Sequence, residues 1–191
     1  YEVMSSDLEF RRVLFRSADG VSCHHLLPQA LAAEGLVYLR LTRPKRPLLY
    51  DPRDRDFPIG GSRLLRESGD DRAAVIATGV CVHEALTAAD RLAADGIALR
   101  VIDAYSIQPL DVHGIAGAAT DTGHLITVED HYRAGGLGEA VAAQVLPRTR
   151  GVAFTSLAVD GVPRSGDAAV LMQRHGIDAE AIERAVRTAI A

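Results

Sequence analysis

Residues 73–102 read AAVIATGVCVHEALTAADRLAADGIALRVI, and this stretch decides the fold class. Residues 73–77 are continuously apolar, as a strand buried on both faces must be. Thr78 and Gly79 punctuate the run, and residues 80–94 then carry alanine, leucine and charge at helical spacing until Asp95 and Gly96 close the segment. Residues 98–102 are apolar again apart from Arg100. Strand, helix and strand joined by tight turns make a βαβ unit, whose helices cover the faces of a parallel sheet. The alternation continues downstream. Asp111 is positioned to cap a helix reaching residue 119, a strand is expected at 125–128, a helix at 137–146 and a strand at 153–159. Two short helices follow, at 168–174 and, capped by Asp178, at 179–189. The expected architecture is α/β: three layers, a mostly parallel sheet with helices on both faces, complete within residues 61–191.

Upstream the pattern is poorer. Residues 22–33 read as a helix with Ser22 as N-cap, Gly35 closes it, and residues 36–39 read as a buried strand. Residues 45–61 are rich in proline and charge without periodicity, and read as a linker crossing between domains. One helix and one strand cannot bury a core, so residues 18–60 form an incomplete α/β fragment that needs a neighbouring body. Residues 1–17, YEVMSSDLEFRRVLFRS, differ in character. Ser5-Ser6-Asp7-Leu8 and Leu14-Phe15-Arg16-Ser17 can both be encoded by the nucleotide string CTCTTCCGATCT, read in two frames, and that string looks like the end of a sequencing adapter. These residues are therefore read as a leader of non-native origin and left out of the fold expectation. The competing reading is an amphipathic helix carrying Leu8, Val13, Leu14 and Phe15. On the leader reading the chain is the severed tail of a longer protein.

Composition narrows the function classes. Hydrophobic residues make up 48% and charged residues 24% of the 191, as in a folded globular protein. A formal net charge of -4 without a lysine/arginine block argues against nucleic-acid and membrane-surface partners. No apolar run approaches the roughly 20 residues of a membrane span. Cys23 and Cys81 lack CxxC or zinc spacing and are expected as buried thiols and not as a disulfide, as in a reducing compartment such as the cytoplasm.

The chemistry-bearing candidates centre on TVEDHYRAGGLGEAV, residues 127–141. Glu129, Asp130, His131 and Tyr132 crowd the end of the strand, and Gly135-Gly136-Leu137-Gly138 opens the next helix. Such a helix N-terminus can cradle a phosphate. The carboxylates of Glu129 and Asp130 oppose that reading, since two like charges at 4 Å cost about 4 kcal/mol at an intermediate dielectric. His131 suits a general base oriented by Asp130, or a metal ligand beside Glu129 and Asp130. Successive residues of an extended chain point to opposite faces, which disfavours a shared ion. The plainer reading is that the four side chains stitch the strand end to a neighbouring element. Thr78-Gly79-Val80 lacks the rest of a dinucleotide fingerprint. His24 and His25, adjacent on a helix, cannot share a metal well. Arg43 lies just past a strand end, where open parallel sheets place ligands, and a guanidinium there can grip a phosphate in bidentate fashion.

Several segments occur in series: GLVYLRLTRP (35–44), VIATGV (75–80) with His83-Glu84-Ala85, SIQPLD (106–111), TVEDHY (127–132) with GGLGEA (135–140), and VPRSG (162–166). Together they resemble the C-terminal third of a transketolase of the animal-type branch, over essentially residues 18–191. The deoxyxylulose-phosphate synthases and the β-subunits of 2-oxo acid dehydrogenases share single pieces and stand as sister readings. A non-catalytic α/β interaction module is the alternative from another class. The transketolase resemblance implies the end of a pyrimidine-binding domain at 18–60 and a transketolase C-terminal domain at 61–191. It also implies a homodimer that uses thiamine diphosphate with magnesium or calcium to move a two-carbon ketol unit between sugar phosphates of the pentose phosphate pathway. Metal and activating glutamate belong, in this family, to parts outside this chain, so no cofactor is expected on it and no activity from it alone. Arg43 falls at the family's substrate-phosphate contact. Glu129, Asp130, His131, Tyr132, Gly135 and Gly136 fall in a domain that does not touch the cofactor, which implies structural or interface roles.

Overall fold

The computed structural model describes residues 12–42 and 46–191. Two sheets share one seam. The larger has five strands in the order β3-β5-β4-β7-β8: β3 (Arg63–Arg66), β4 (Ala74–Ala77), β5 (Arg100–Asp103), β7 (His124–Tyr132) and β8 (Ala153–Val159). All neighbours run parallel except β3, which pairs antiparallel with β5 at one edge. Helices α2 (Cys81–Ala94) and α6 (Ala179–Ile190) cover one face, where Val75, Ala77, Val101, Ile126 and Val128 meet Leu92, Ile182 and Val186. Helices α3 (Val112–Thr122) and α4 (Leu137–Gln144) cover the other, where Ala74, Ile76, Ile102 and Leu125 meet Ile115, Leu137 and Val141. Helix α5 (Ala168–His175) precedes α6. This is the expected three-layer α/β arrangement with a mostly parallel sheet, and its two-sided burial explains why the central strand β4 reads as an unbroken apolar run. Asp111 and Asp178 cap their helices as expected, accepting from Gly114 N (2.9 Å) and Ala181 N (3.0 Å).

The smaller sheet has three strands in the order β2-β1-β6: β1 (Arg12–Arg16), β2 (Leu36–Arg40) and β6 (Ser106–Gln108). Leaving residues 1–17 out of the fold needs correction for its last members. Arg12–Arg16 form the middle strand, parallel to β2 and antiparallel to β6, because Val13 and Phe15 alternate inward and fill the core. Residues 1–11 lie outside the described residues. Helix α1 (Gly20–Ala32) begins two residues earlier than expected, since Asp19 and not Ser22 is its N-cap. Asp19 accepts from Ser22 N at 2.8 Å, while Ser22 occupies the third helical position and completes a reciprocal capping box.

The seam forms where the chain leaves β5 and crosses through Ala104 and Tyr105 into β6. Tyr105 O accepts from Arg16 N (2.8 Å), Ala104 N donates to Ala77 O (2.8 Å), and Thr78 Oγ1 donates to Ala104 O (3.0 Å). Residues 46–62 lack regular structure but are pinned along the seam as a strap. Phe57 is fully buried between Tyr50 (4.9 Å between ring centroids) and Tyr105 (5.4 Å), Gln29 Nε2 donates to Phe57 O (2.6 Å), and Gly60 N donates to Ser106 Oγ (3.0 Å). Cys23 and Cys81 are both free; Cys81 is buried as expected, whereas Cys23, on α1, is only half-buried.

Candidate functional site

The apolar pattern of β7 stops at Val128, yet the strand runs on to Tyr132. It shifts register after Val128 and pairs Tyr132 with Val159. The polar cluster is thus part of a strand and alternates its side chains across the sheet. Glu129 turns towards α4 and is fully buried. Its Oε2 accepts from Leu137 N at 2.7 Å and its Oε1 from Gly138 N at 2.8 Å. A carboxylate supplied by the neighbouring strand thereby satisfies two of the four orphan donors at the N-terminus of α4 and faces the positive end of its dipole. Burial pushes the Glu129 carboxyl above its ordinary range, opposed by the bonds from Gly138 and Leu137. Gly136, the N-cap of α4, is required by this contact: a Cβ there would collide with the Glu129 carboxylate. Gly138 faces Thr127 and Ser156 on the adjacent strands, so α4 lies close against the sheet.

Asp130 turns the opposite way, towards the small sheet. It is paired with Arg16 of β1, and its other oxygen lies 3.6 Å from Arg40 Nη2 of β2, which also donates to Asp130 O at 3.2 Å. Arg16 is 3% exposed, and burial lowers the proton affinity of its guanidinium while Asp130 raises it. The two arginines and one aspartate tie β1 and β2 to β7. His131 is partly exposed and bonds through Nδ1 to Tyr132 O (2.8 Å); Tyr132 is 47% exposed. Gly135, at φ 71°, passes its N–H to the Glu139 carboxylate. Between the small sheet and the start of α4 lies a cleft of about 470 Å³, lined among others by Arg12, Arg40, Gln108, Glu129 and His131.

Three chemistries open to this motif's residue types have no geometry here. A phosphate cradle at α4 is already filled by the Glu129 carboxylate. A Glu129–Asp130–His131 metal site fails because the first two side chains leave opposite faces, and no metal-holding group of histidine, cysteine and carboxylate occurs among the described residues. His131 and Asp130 form no dyad: His131 bonds to backbone and Asp130 to arginine. The arrangement joins elements. Arg43 lies outside the described residues. Arg40 was missed by sequence reasoning as a partner of Asp130; its place at the end of β2, level with the end of β7, is the signal that points to it in retrospect. The buried pair of Tyr50 and Asp103, whose hydroxyl–carboxylate bond is 2.6 Å, was also missed, because 53 positions separate them.

Residues 60–182 match the family model described as "Transketolase, C-terminal domain". The chain is 42% identical over 175 residues to mouse "Transketolase" and 44% identical to "Transketolase-like protein 1" of Macaca fascicularis, covering 91% of this chain in both cases. It spans only 28–29% of the length of these relatives. A solved structure described as "Split gene transketolase, inactive beta4 tetramer" superposes with a TM-score of 0.87 at 33% identity, over 94% of this chain and 58% of that one. Transketolase from Campylobacter jejuni shares the fold at a TM-score of 0.66 and 18% identity, over 93% of this chain and 26% of its own. The family match over residues 60–182 and these identities show that the chain belongs to the transketolase family, whose C-terminal domain it carries.

Proposed function

We propose that this chain is part of a thiamine-diphosphate-dependent transketolase, which moves a two-carbon ketol unit from a ketose phosphate to an aldose phosphate in the pentose phosphate pathway. The working enzyme is a cytoplasmic homodimer that also holds magnesium or calcium. The observation that carries this reading is the family match over residues 60–182 together with 42% identity to a mammalian transketolase. Thiamine diphosphate, when bound, supplies the carbanion chemistry of ketol transfer. The described residues of this chain do not fit it: the one helix N-terminus opened by paired glycines is closed by Glu129, and no carboxylate cluster for its metal is present among them. Cofactor and metal are therefore assigned to parts of the enzyme outside this chain, and no catalytic step is assigned to its residues. Arg43 is proposed to hold the substrate phosphate as a bidentate donor. Glu129, Asp130, His131, Tyr132, Gly135 and Gly136 are proposed to secure the strand end and the contact between sheets.

A charge-assisted bond is worth roughly 1.5–3 kcal/mol, so Arg43→Ala in a full-length enzyme should raise KM for phosphorylated substrates by about ten- to hundredfold with kcat little changed. Equal losses on phosphorylated and unphosphorylated acceptors would contradict the phosphate role. The chain alone should give no calorimetric signal with thiamine diphosphate and magnesium and no ketol transfer. A saturable heat would overturn the assignment of the cofactor elsewhere. The neighbour described as a split-gene transketolase supports a second reading, in which the remaining domains come from a separate chain. Co-expression with a transketolase N-terminal part separates the two: recovered ketol transfer supports the split arrangement.

A further inference from the structure

Asp103 ends β5 at the point where the chain crosses from the large sheet to the small one. Its side chain is fully buried, Oδ2 accepts the Tyr50 hydroxyl at 2.6 Å, and Oδ1 has no hydrogen-bond partner among the described residues. Four charged or titratable groups surround it: Tyr50 from the strap, Asp19 from the cap of α1, Arg63 from β3 and Tyr105 from the crossover. Arg63 is the cation that faces it, but this guanidinium is committed to Asp54 and Asp56 and lies over the rings of Tyr50 (5.6 Å) and Phe57 (5.3 Å). An ionised Asp103 would therefore be a buried anion holding one hydrogen bond, with the Asp19 carboxylate adding repulsion. Asp19 also binds the strap directly, accepting from Leu49 N (2.8 Å) and Tyr50 N (3.2 Å). The series Asp19–Tyr50–Asp103 thus links the helix beside the small sheet, the strap, and a central strand of the large sheet.

We propose that Asp103 and Tyr50 form a proton-operated latch: the strap of residues 46–62 is docked on the seam while the Asp103 carboxyl keeps its proton, and loosens when the proton leaves. This inference is independent of the transketolase reading. Burial, with the Asp19 charge adding to it, raises the Asp103 carboxyl to about 7, against the opposing pull of the Tyr50 hydrogen bond and Arg63. The docked state therefore binds more protons than the open one. Docking is strongest below the ordinary value of 3.8, weakens as pH rises towards about 7, and is flat above that. The latch acts across the mildly acidic to neutral range.

Amide hydrogen exchange on the full chain tests this. After correction for intrinsic rates, protection at Leu49 and Tyr50 relative to Val75 and Ile76 should fall about tenfold per pH unit between pH 5 and 7, then level off. Asp103→Asn should keep the strap protected and make it insensitive to pH. Tyr50→Phe removes the donor that favours the carboxylate, so the levelling-off should move to higher pH. A carbon-13 titration of the Asp103 carboxyl in the unmodified chain decides the question even if the variants do not fold, with a midpoint near 7 expected. A midpoint below about 5, or strap protection that tracks β4 across the whole range, would overturn the latch.

Discussion

The five-stranded sheet is covered on both faces, whereas the three-stranded sheet leaves much of β2 open to solvent. Every residue of β4 is buried, while Leu36 and Tyr38 of β2 are 65% and 58% exposed. The large sheet carries two cores of its own, one under α2 and α6 and one under α3 and α4. The small sheet has a modest core of Val13, Phe15, Val21 and Leu26, and the aromatic mass that completes it comes from the strap and the crossover: Tyr50, Phe57 and Tyr105. Two-sided burial makes a unit that supports itself; one-sided burial makes a unit that depends on its neighbour. The Arg16–Asp130–Arg40 contact and the strap express that dependence in ionic and aromatic form.

This asymmetry can be broken one residue at a time. Ile76→Ala empties a fully buried site at the centre of the large sheet and should cost about 2–5 kcal/mol, lowering the guanidinium midpoint for the whole chain. Glu129→Ala strands two buried N–H groups at the start of α4 and should cost about 1–3 kcal/mol in the same experiment. Tyr105→Phe loses only the hydroxyl that donates to Pro58 O (3.0 Å), about 0.5–1.5 kcal/mol, and the loss should appear in exchange at the strap and not in β4. Arg187→Ala removes an exposed pair with Asp95 and should shift the thermal midpoint by an amount corresponding to under about 1 kcal/mol. A Glu129 variant as stable as the parent, or a Tyr105 variant that destabilises β4 and strap alike, would erase the distinction between the two regions.

The large sheet was legible because its strands advertise their burial: AVIA and the apolar start of β7 have their natural place between two layers of helices. Its edge strand β3 was not, because RLLR is four residues long with a charge at each end and gains its register only from β5. The last four residues of β7 read as a strand end because sequence shows polarity and not its satisfaction. Glu129 is tolerated inside the sheet through two donors eight and nine positions away, which no local pattern reveals. Strand β1 lies within the segment whose coding string looks like an adapter end, which masks the half-buried alternation of Val13 and Phe15. The joining role expected of Glu129 and Asp130 has a geometry that supports it, whereas Arg43 lies outside the described residues and keeps its role as a proposal.

Native-state hydrogen exchange across a series of low guanidinium concentrations tests the division between the two sheets most directly. Amides of β1, β2 and the strap should open together in a sub-global step, at a lower free energy than β4 and β7. A single opening free energy shared by both sheets, merging at all denaturant concentrations, would contradict it.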